Sequence, residues 1–378
     1  MNESSRSSEP TGESSLQRRR ARAALANLFI GDALSMPVHW FYNPGDILRA
    51  FPPLGITQME AAPERHPSSI MALHSTSRGG RGSQHSHDRR QVVGEVILKG
   101  RRHLWGRPHG HYHHGMTAGQ NTLNAYWARL AMNFMTRAPT YDTSEWVGQY
   151  IDFMTADPPR HPDTYAESCH RGFFANLERG EDPLRCGAVT HDTPSMGALV
   201  TVAPIALALM TTLPLERVRE LCRDHVRLTH PDEDLLLVVD TYVDLLAHLL
   251  ERPDGDSDAR PFIEASSVIP GARVGSLLEQ DRGDAFVVGR TFSLACYITG
   301  SWPSVCYLAA KYRHDPGRAL LANSNLGGEN AHRGSVLGTL VGLASGDIED
   351  TLYDTLADHE ALDAEIGAWL DRFLPCPA

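Results

Sequence analysis

Residues 321–346 read LANSNLGGENAHRGSVLGTLVGLASG. The double glycine Gly327-Gly328 leads into Glu329, Asn330, His332 and Arg333. Gly334, Gly338, Gly342 and Gly346 then recur at every fourth position. Residues four apart share one face of a helix. Each glycine costs a helix about 1 kcal/mol relative to alanine, so four in register need a compensating reason. A face without side chains supplies one, because it lets a second backbone come very close. The polar cluster stands where that helix would begin, where free N–H groups and the macrodipole favour anions. The run therefore predicts a ligand site at a helix N-terminus, buried against another helix.

Helical patterns dominate the rest of the chain. Leu16–Ile30 is amphipathic and opens into Gly31-Asp32-Ala33-Leu34. Further helices are expected over 122–135, 163–179 (stopping at Gly180), 196–210, 214–228, 232–250, 286–298, 302–312, 329–344 and 359–373, and one capped by Asp142, Thr143 or Ser144 through Met154. The best strand signal is Gln91–Leu98, QVVGEVIL. Residues 68–115 are rich in Gly, Arg and Ser and hold eight of the nineteen histidines, so they read as a long irregular excursion near the site. Residues 1–15 are polar and read as a disordered tail. The pattern predicts an all-α fold, one helical domain over 16–378.

Composition narrows the function. A net charge of −11 and 42% hydrophobic residues suit a large core and argue against nucleic acid as a partner. No apolar run approaches the roughly 18 residues of a membrane span, so a membrane is not expected either. The six cysteines lack CxxC spacing and read as buried thiols in a reducing compartment, which implies a cytoplasmic protein. The remaining partner is a small-molecule substrate.

Three polar clusters are candidates for chemistry. In the first, Asp32 and His39 flank a proline turn, and Asp32 either orients a ligand or satisfies backbone donors. In the second, residues 109–122, His113 and His114 precede a turn that ends in Gln120, Asn121 and Thr122. Thr122 is a ligand contact or a simple N-cap; His109 and His111 fit a solvated loop. The third is the opening run, with Gly328, Glu329, Asn330, His332 and Arg333. Helical spacing over 163–171 adds Asp163, Glu167, His170 and Arg171 as an anion clamp or base, or else a salt-bridged surface. His191 and Asp192 stand in a loop before an apolar helix.

In this order the clusters resemble the ADP-ribosylglycohydrolase (crystallin J1-related) family. Gly31–His39 is similar to its Gly-Asp-Ala-x-Gly-x-Pro-x-Glu stretch. Gly119-Gln120-Asn121-Thr122 stands where the family has Thr-Asp-Asp-Thr, and Gly327–Ala331 where it has Gly-Gly-Asp-Thr-Asp. Residues 191–205 resemble its Gly-Ser-x-Met-Arg-x-x-Pro stretch, a substrate-binding position. The resemblance spans roughly Arg18 to Gly346 and implies a single orthogonal helical bundle. It also implies a di-magnesium centre that binds a ribose diol and activates water to cleave a glycosidic bond.

The departures alter that expectation. Gln120, Asn121, Ala331 and His39 stand where the family has acids, and of the third motif only Glu329 remains acidic. Mg²⁺ wants hard oxygen ligands in octahedral geometry, so Mg²⁺ and other cofactors are not expected here. Acid–base chemistry would then fall to His113, His114 or His332 with Asp32, Asp192 or Glu329. His39, Gln120, Asn121, Thr122, Glu167, His170, Arg171, His191, Gly328, Asn330 and Arg333 would bind substrate. The alternatives are a non-catalytic nucleotide- or sugar-binding protein and an enzyme with one transition metal held by histidine and carboxylate.

Overall fold

The computed structural model describes residues 11–77 and 91–376. Its helices are α1 (Thr11–Ser35), α2 (Pro44–Ala50), α3 (Leu123–Arg137), α4 (Thr143–Met154), α5 (Ser168–Leu177), α6 (Val202–Leu209), α7 (Leu215–Arg227) and α8 (Glu233–Glu251). They continue with α9 (Arg260–Ser266), α10 (Val274–Glu279), α11 (Asp284–Val287), α12 (Ile298–Tyr312), α13 (Pro316–Leu326), α14 (Asn330–Ser345), α15 (Asp350–Tyr353) and α16 (His359–Phe373). Strands are absent among the described residues, so the fold is all-α as the periodicity predicts. None of these helices is long and apolar enough to cross a membrane.

α14 is the axis. Every residue from Asn330 to Ala344 is buried, and the partner that covers its glycine face is α1. A Cβ added to Gly334 would strike the backbone of Gly31, one on Gly338 that of Asn27, one on Gly342 that of Ala23, and one on Gly346 would meet Arg19. The partners descend as the glycines ascend, so the two helices run antiparallel with their backbones in contact. Gly31 extends the arrangement from the other side, since its own Cβ would run into Gly334. α1 is correspondingly buried from Ala23 through Leu34, as a helix enclosed by others must be.

The remaining helices wrap this pair and share one hydrophobic core. Local chemistry starts several of them. Asp142 accepts from Glu145 N at 2.9 Å, Asp232 from Leu235 N at 2.9 Å, and Asp315 from Arg318 N at 2.9 Å with Pro316 in the first turn. A side-chain oxygen at each of these positions satisfies a free N–H, an interaction of about 1 kcal/mol.

Several expectations are corrected. α1 begins at Thr11, inside the stretch read as a tail, and continues past Ile30 to Ser35; residues 1–10 of that tail lie outside the described residues. Gln91–Leu98 is not a strand: Val92–Val96 forms one π-turn around Gly94 at φ 97°. α5 starts at Ser168, not Asp163, and 286–298 holds only the last turn of α11 before a loop. The histidine-rich excursion is irregular over its described parts; residues 78–90 lie outside them.

Candidate active site

The site forms where the end of α1 meets the start of α14. After Ser35, Pro37 turns the chain into a short 3₁₀ segment, and His39-Trp40-Phe41 then crosses the Gly327-Gly328 turn. Two backbone hydrogen bonds fasten the crossing: Trp40 N donates to Gly328 O, and Gly328 N to Phe41 O, each at 2.7 Å. Gly327 and Gly328 sit at φ 70° and 65°, and a Cβ on either would enter Phe41 or Leu294. Trp40 itself is held at φ 63°, a region that costs a bulky L-residue on the order of 1 kcal/mol or more. The strain turns its indole over the site. Trp40 stacks on His39 with ring centroids 3.7 Å apart.

Behind Trp40 lies a buried chain of imidazoles and carboxylates. Glu329 accepts from Trp40 Nε1 at 2.6 Å, and its Oε1 lies 3.0 Å from His39 Nε2 and 2.5 Å from His332 Nδ1. His39 Nδ1 faces His113 Nε2 at 2.8 Å, and His113 Nδ1 reaches Asp163 at 2.8 Å. Asp163 also accepts the N–H of Leu123 at 2.7 Å and of Tyr165 at 3.1 Å. Thus Asp163, forty residues away, satisfies the start of α3. Thr122 does not cap it, because its hydroxyl donates to Asp32 at 2.6 Å.

Burial sets the charges of this chain. It raises Asp32, although hydrogen bonds from Thr122 and Asn121 oppose the rise. Burial would raise Glu329 too, but His332 and His39 outweigh it and hold the carboxyl well below the usual range. Burial lowers His39 to about 3 against the pull of Glu329. His332 goes the other way: burial disfavours its charge, yet Glu167 and Glu329 lift it to about 10. Glu167 is pushed up to about 7 by burial, with His332 resisting.

In front of Trp40 opens a cleft lined by Trp40, Tyr42, Tyr112, Tyr165, Tyr297 and His74 and carrying the carboxylates Glu167 and Asp192. Tyr112 and Tyr165 stand edge-on to Trp40, with centroids 4.6 and 5.2 Å away. A smaller void, with room for little more than about one water molecule, lies beside it, bordered by His39, His113, Asn124, Asp163, Glu167 and His332. Trp40, Tyr165 and Glu167 border both spaces. Gly197 leaves room for this junction, since a Cβ there would come within 2.8 Å of Glu167 Oε2.

The structure brings His39, His113, Glu167, Glu329 and His332 together, with His191 and Asp192 on the cleft wall. Other expected site residues face elsewhere. Asp32 is enclosed by Asn121 and Thr122, so it fixes the turn that leads into α3 and does not reach the cleft. Gln120 closes its own turn by accepting from Thr117 N, and half-buried His114 does not line the cleft. Asn330 donates to Ser324 O and Arg333 to Asn323 and Gly327 O, so both brace the glycine turn from behind. Gly328 contributes backbone alone. Because 163–167 is not helical, His170 and Arg171 share no face with Asp163. His170 bonds Tyr150 at 2.7 Å, and Arg171 donates to Ala166 O beside the Tyr165 and Trp105 rings. His111, expected in a solvated loop, is buried and bonded to Pro37 O at 3.0 Å.

Sequence reasoning missed Trp40, Tyr112, Tyr165 and Asn124. Trp40 carried a legible signal, standing next to His39 in the first motif. Asn124, inside a helix, carried none.

The magnesium positions implied by the resemblance can be tested against this geometry. Gln120 is spent in a turn, the Asn121 amide donates to Asp32 and Phe29 O, and Ala331 has no donor atom. Two Mg²⁺ ions, which need a cage of oxygen ligands, do not fit this set.

A model of the ADP-ribosylglycohydrolase family matches residues 13–375. A solved structure titled ADP-ribosylglycohydrolase-related protein complex is similar over 95% of this chain and 99% of its own, with a TM-score of 0.56 and 18% identity. At that identity the likeness is one of fold. No curated protein matches the sequence.

Proposed function

Because the chain belongs to the ADP-ribosylglycohydrolase family, we propose that it hydrolyses the glycosidic bond of a small polar substrate bound in the aromatic cleft, without a di-magnesium centre. The observation that carries this reading is Glu167. It is the carboxylate that borders both the cleft and the buried histidine chain, with Oε1 3.4 Å from His332 Nδ1 and Oε2 accepting from Asn124 at 3.2 Å. A sugar ring stacks readily on Trp40 and Tyr165, while its hydroxyls meet Glu167, Asp192 and His191. Among the described lining residues the formal charges are those of Glu167 and Asp192. That favours a neutral glycoside over one carrying a pyrophosphate.

In this reading Glu167 protonates the departing group and Asp192 takes the proton of the attacking water. Two carboxyl groups flanking the bond are the usual arrangement for such hydrolysis. Solvent in the cleft then takes the proton from Asp192 and restores the one on Glu167, whose carboxyl His332 holds from 3.4 Å away. The chain His39–His113–Asp163 holds Glu329 and His332 in place and does not touch substrate.

Turnover assays on ADP-ribose, an ADP-ribosylated peptide and simple N- and O-ribosides test this. Glu167→Gln is expected to lower kcat by about 10²–10⁴-fold while a ligand still raises the Tm. The missing acids at Gln120, Asn121 and Ala331 favour a second reading, a nucleotide- or sugar-binding protein without turnover. Ligands that stabilise the protein yet stay intact across the panel would establish it and remove the hydrolase.

A further inference from the structure

The geometry points to a site for one divalent transition-metal ion at His39, Glu329 and His332. Their ligand atoms, His39 Nε2, Glu329 Oε1 and a His332 ring nitrogen, lie within 4.8 Å of one another in a buried pocket. Glu329 Oε1 is 3.0 Å from the first and 2.5 Å from His332 Nδ1. Two imidazoles and one carboxylate are a donor set for Zn²⁺, Fe²⁺, Mn²⁺ or Co²⁺, and not for Mg²⁺.

Hydrogen-bond direction gives the independent argument. Asp163 is an acceptor, taking the N–H of Leu123 and of Tyr165, so His113 Nδ1 must donate to it. With His113 neutral, its Nε2 is a lone pair and accepts from His39 Nδ1 at 2.8 Å. His39 Nε2 is then also a lone pair, aimed at a Glu329 oxygen. Two acceptors then face each other in a buried space, an arrangement that calls for a proton or a metal cation between them. Nearby, His332 Nδ1 is buried and makes no well-directed hydrogen bond despite its short distance to Glu329. A metal ion about 2.0–2.2 Å from each ligand atom resolves both mismatches, after an outward shift of the Glu329 and His332 side chains.

The surroundings suit an ion. The Asp163–His113–His39 relay orients one ligand through its far nitrogen, as partners of metal-bound histidines do. Trp40 Nε1 holds the second oxygen of Glu329 at 2.6 Å. Rotating the Asn124 amide, whose nitrogen now lies 2.7 Å from His332 Nε2, would let its oxygen accept from that nitrogen, at the cost of its bond to Glu167 Oε2. His39 and His332 border the small inner void, where a water ligand would stand beside Glu167. The competing occupant is a proton, carried on the His39–His113 relay.

The inference needs no catalysis, since a protein that only binds ligand would take up the ion equally. The test uses full-length protein without a histidine tag, stripped with a chelator and titrated with Co²⁺ and Zn²⁺. We expect one equivalent of Co²⁺ to give the visible absorption of a four- or five-coordinate ion, and Zn²⁺ to displace it. His39→Ala should abolish the band, and His113→Ala should weaken binding about 10–100-fold. Exposed His103→Ala should leave both unchanged. A wild-type protein that gives no such band overturns the site in favour of the proton-only relay, and requires no variant to fold. A band that survives both His39→Ala and His332→Ala in folded protein assigns the ion to other histidines and overturns it equally. Activity plays no part in either readout, so failure here is distinct from failure of the hydrolase reading.

Discussion

Asp163 shows how much one side chain can hold. It accepts the first N–H of α3, the N–H of Tyr165 and the ring N–H of His113, and burial leaves none of these donors water as a substitute. His113 and the Leu123 backbone keep its carboxyl well below the usual range despite burial. Asp163→Ala is expected to destabilise the fold by roughly 3 kcal/mol, the cost of stranding buried partners. A shift in the urea midpoint equivalent to less than 1 kcal/mol would contradict that account. Single residues also mark where sequence reading stopped. Glu329, His332 and His39 were legible because a glycine turn and a histidine in place of an acid are unusual text. Arg333 and Asn330 looked equally functional, yet successive helical positions point different ways, and these two point at α13. Trp40 and Tyr165 meet across 125 residues of chain, a proximity that no local pattern encodes.

Elements carry the next prediction, because the same residue type acts oppositely on two helices. Gly338 of α14 faces the backbone of Asn27, whereas Gly367 of α16 has nothing within 4 Å of where a Cβ would stand. Gly367→Ala should stabilise by about 0.5–1 kcal/mol through helix propensity and a less flexible unfolded chain. Gly338→Ala should lose that gain and destabilise by about 1–3 kcal/mol, since α1 must be pushed away. Thermal denaturation of the two variants should move in opposite directions; movement in the same direction would refute the contact. The glycine stripe made this helix pair legible, and the Asp caps of α4 and α8 did the same for their starts. α13 was not legible, because Asn323, Ser324 and Asn325 interrupt its apolar pattern; Asn323 donates to Asn330 O and Asn325 accepts from Ile56 N outside the helix, while Ser324 bonds back to Leu320 O. The 163–167 segment failed for the converse reason: its helical spacing is real, but Asp163 and Tyr165 are held by His113 and His74 outside it.

At the scale of the whole molecule, buried histidines set the response to acid. Burial lowers His225 and His230 to about 3, and His66 and His161 to about 4. Above the unfolded value of about 6.5 both states are neutral and these groups contribute nothing. Below it the unfolded chain takes up protons that the fold refuses, so stability falls as the pH drops from about 6.5 toward the folded values. Each group removes about 1.4 kcal/mol per pH unit in that window. The four together should cost roughly 5 kcal/mol by pH 5.5, a Tm loss of roughly 6 °C for a chain of this size. A Tm that is flat between pH 7 and 5.5 would refute this. The α1–α14 pair has a consequence of a different kind, in time. Its halves, Thr11–Ser35 and Asn330–Ser345, are separated by nearly three hundred residues of chain. At about 5–20 residues per second on a ribosome, α1 waits roughly 15–60 s for the helix that covers it. The glycine face that makes the native contact so close thus leaves the apolar Ala23–Leu34 stretch of α1 in search of shelter until α14 arrives. The site between the two helices cannot exist until Asn330–Ser345 has been made.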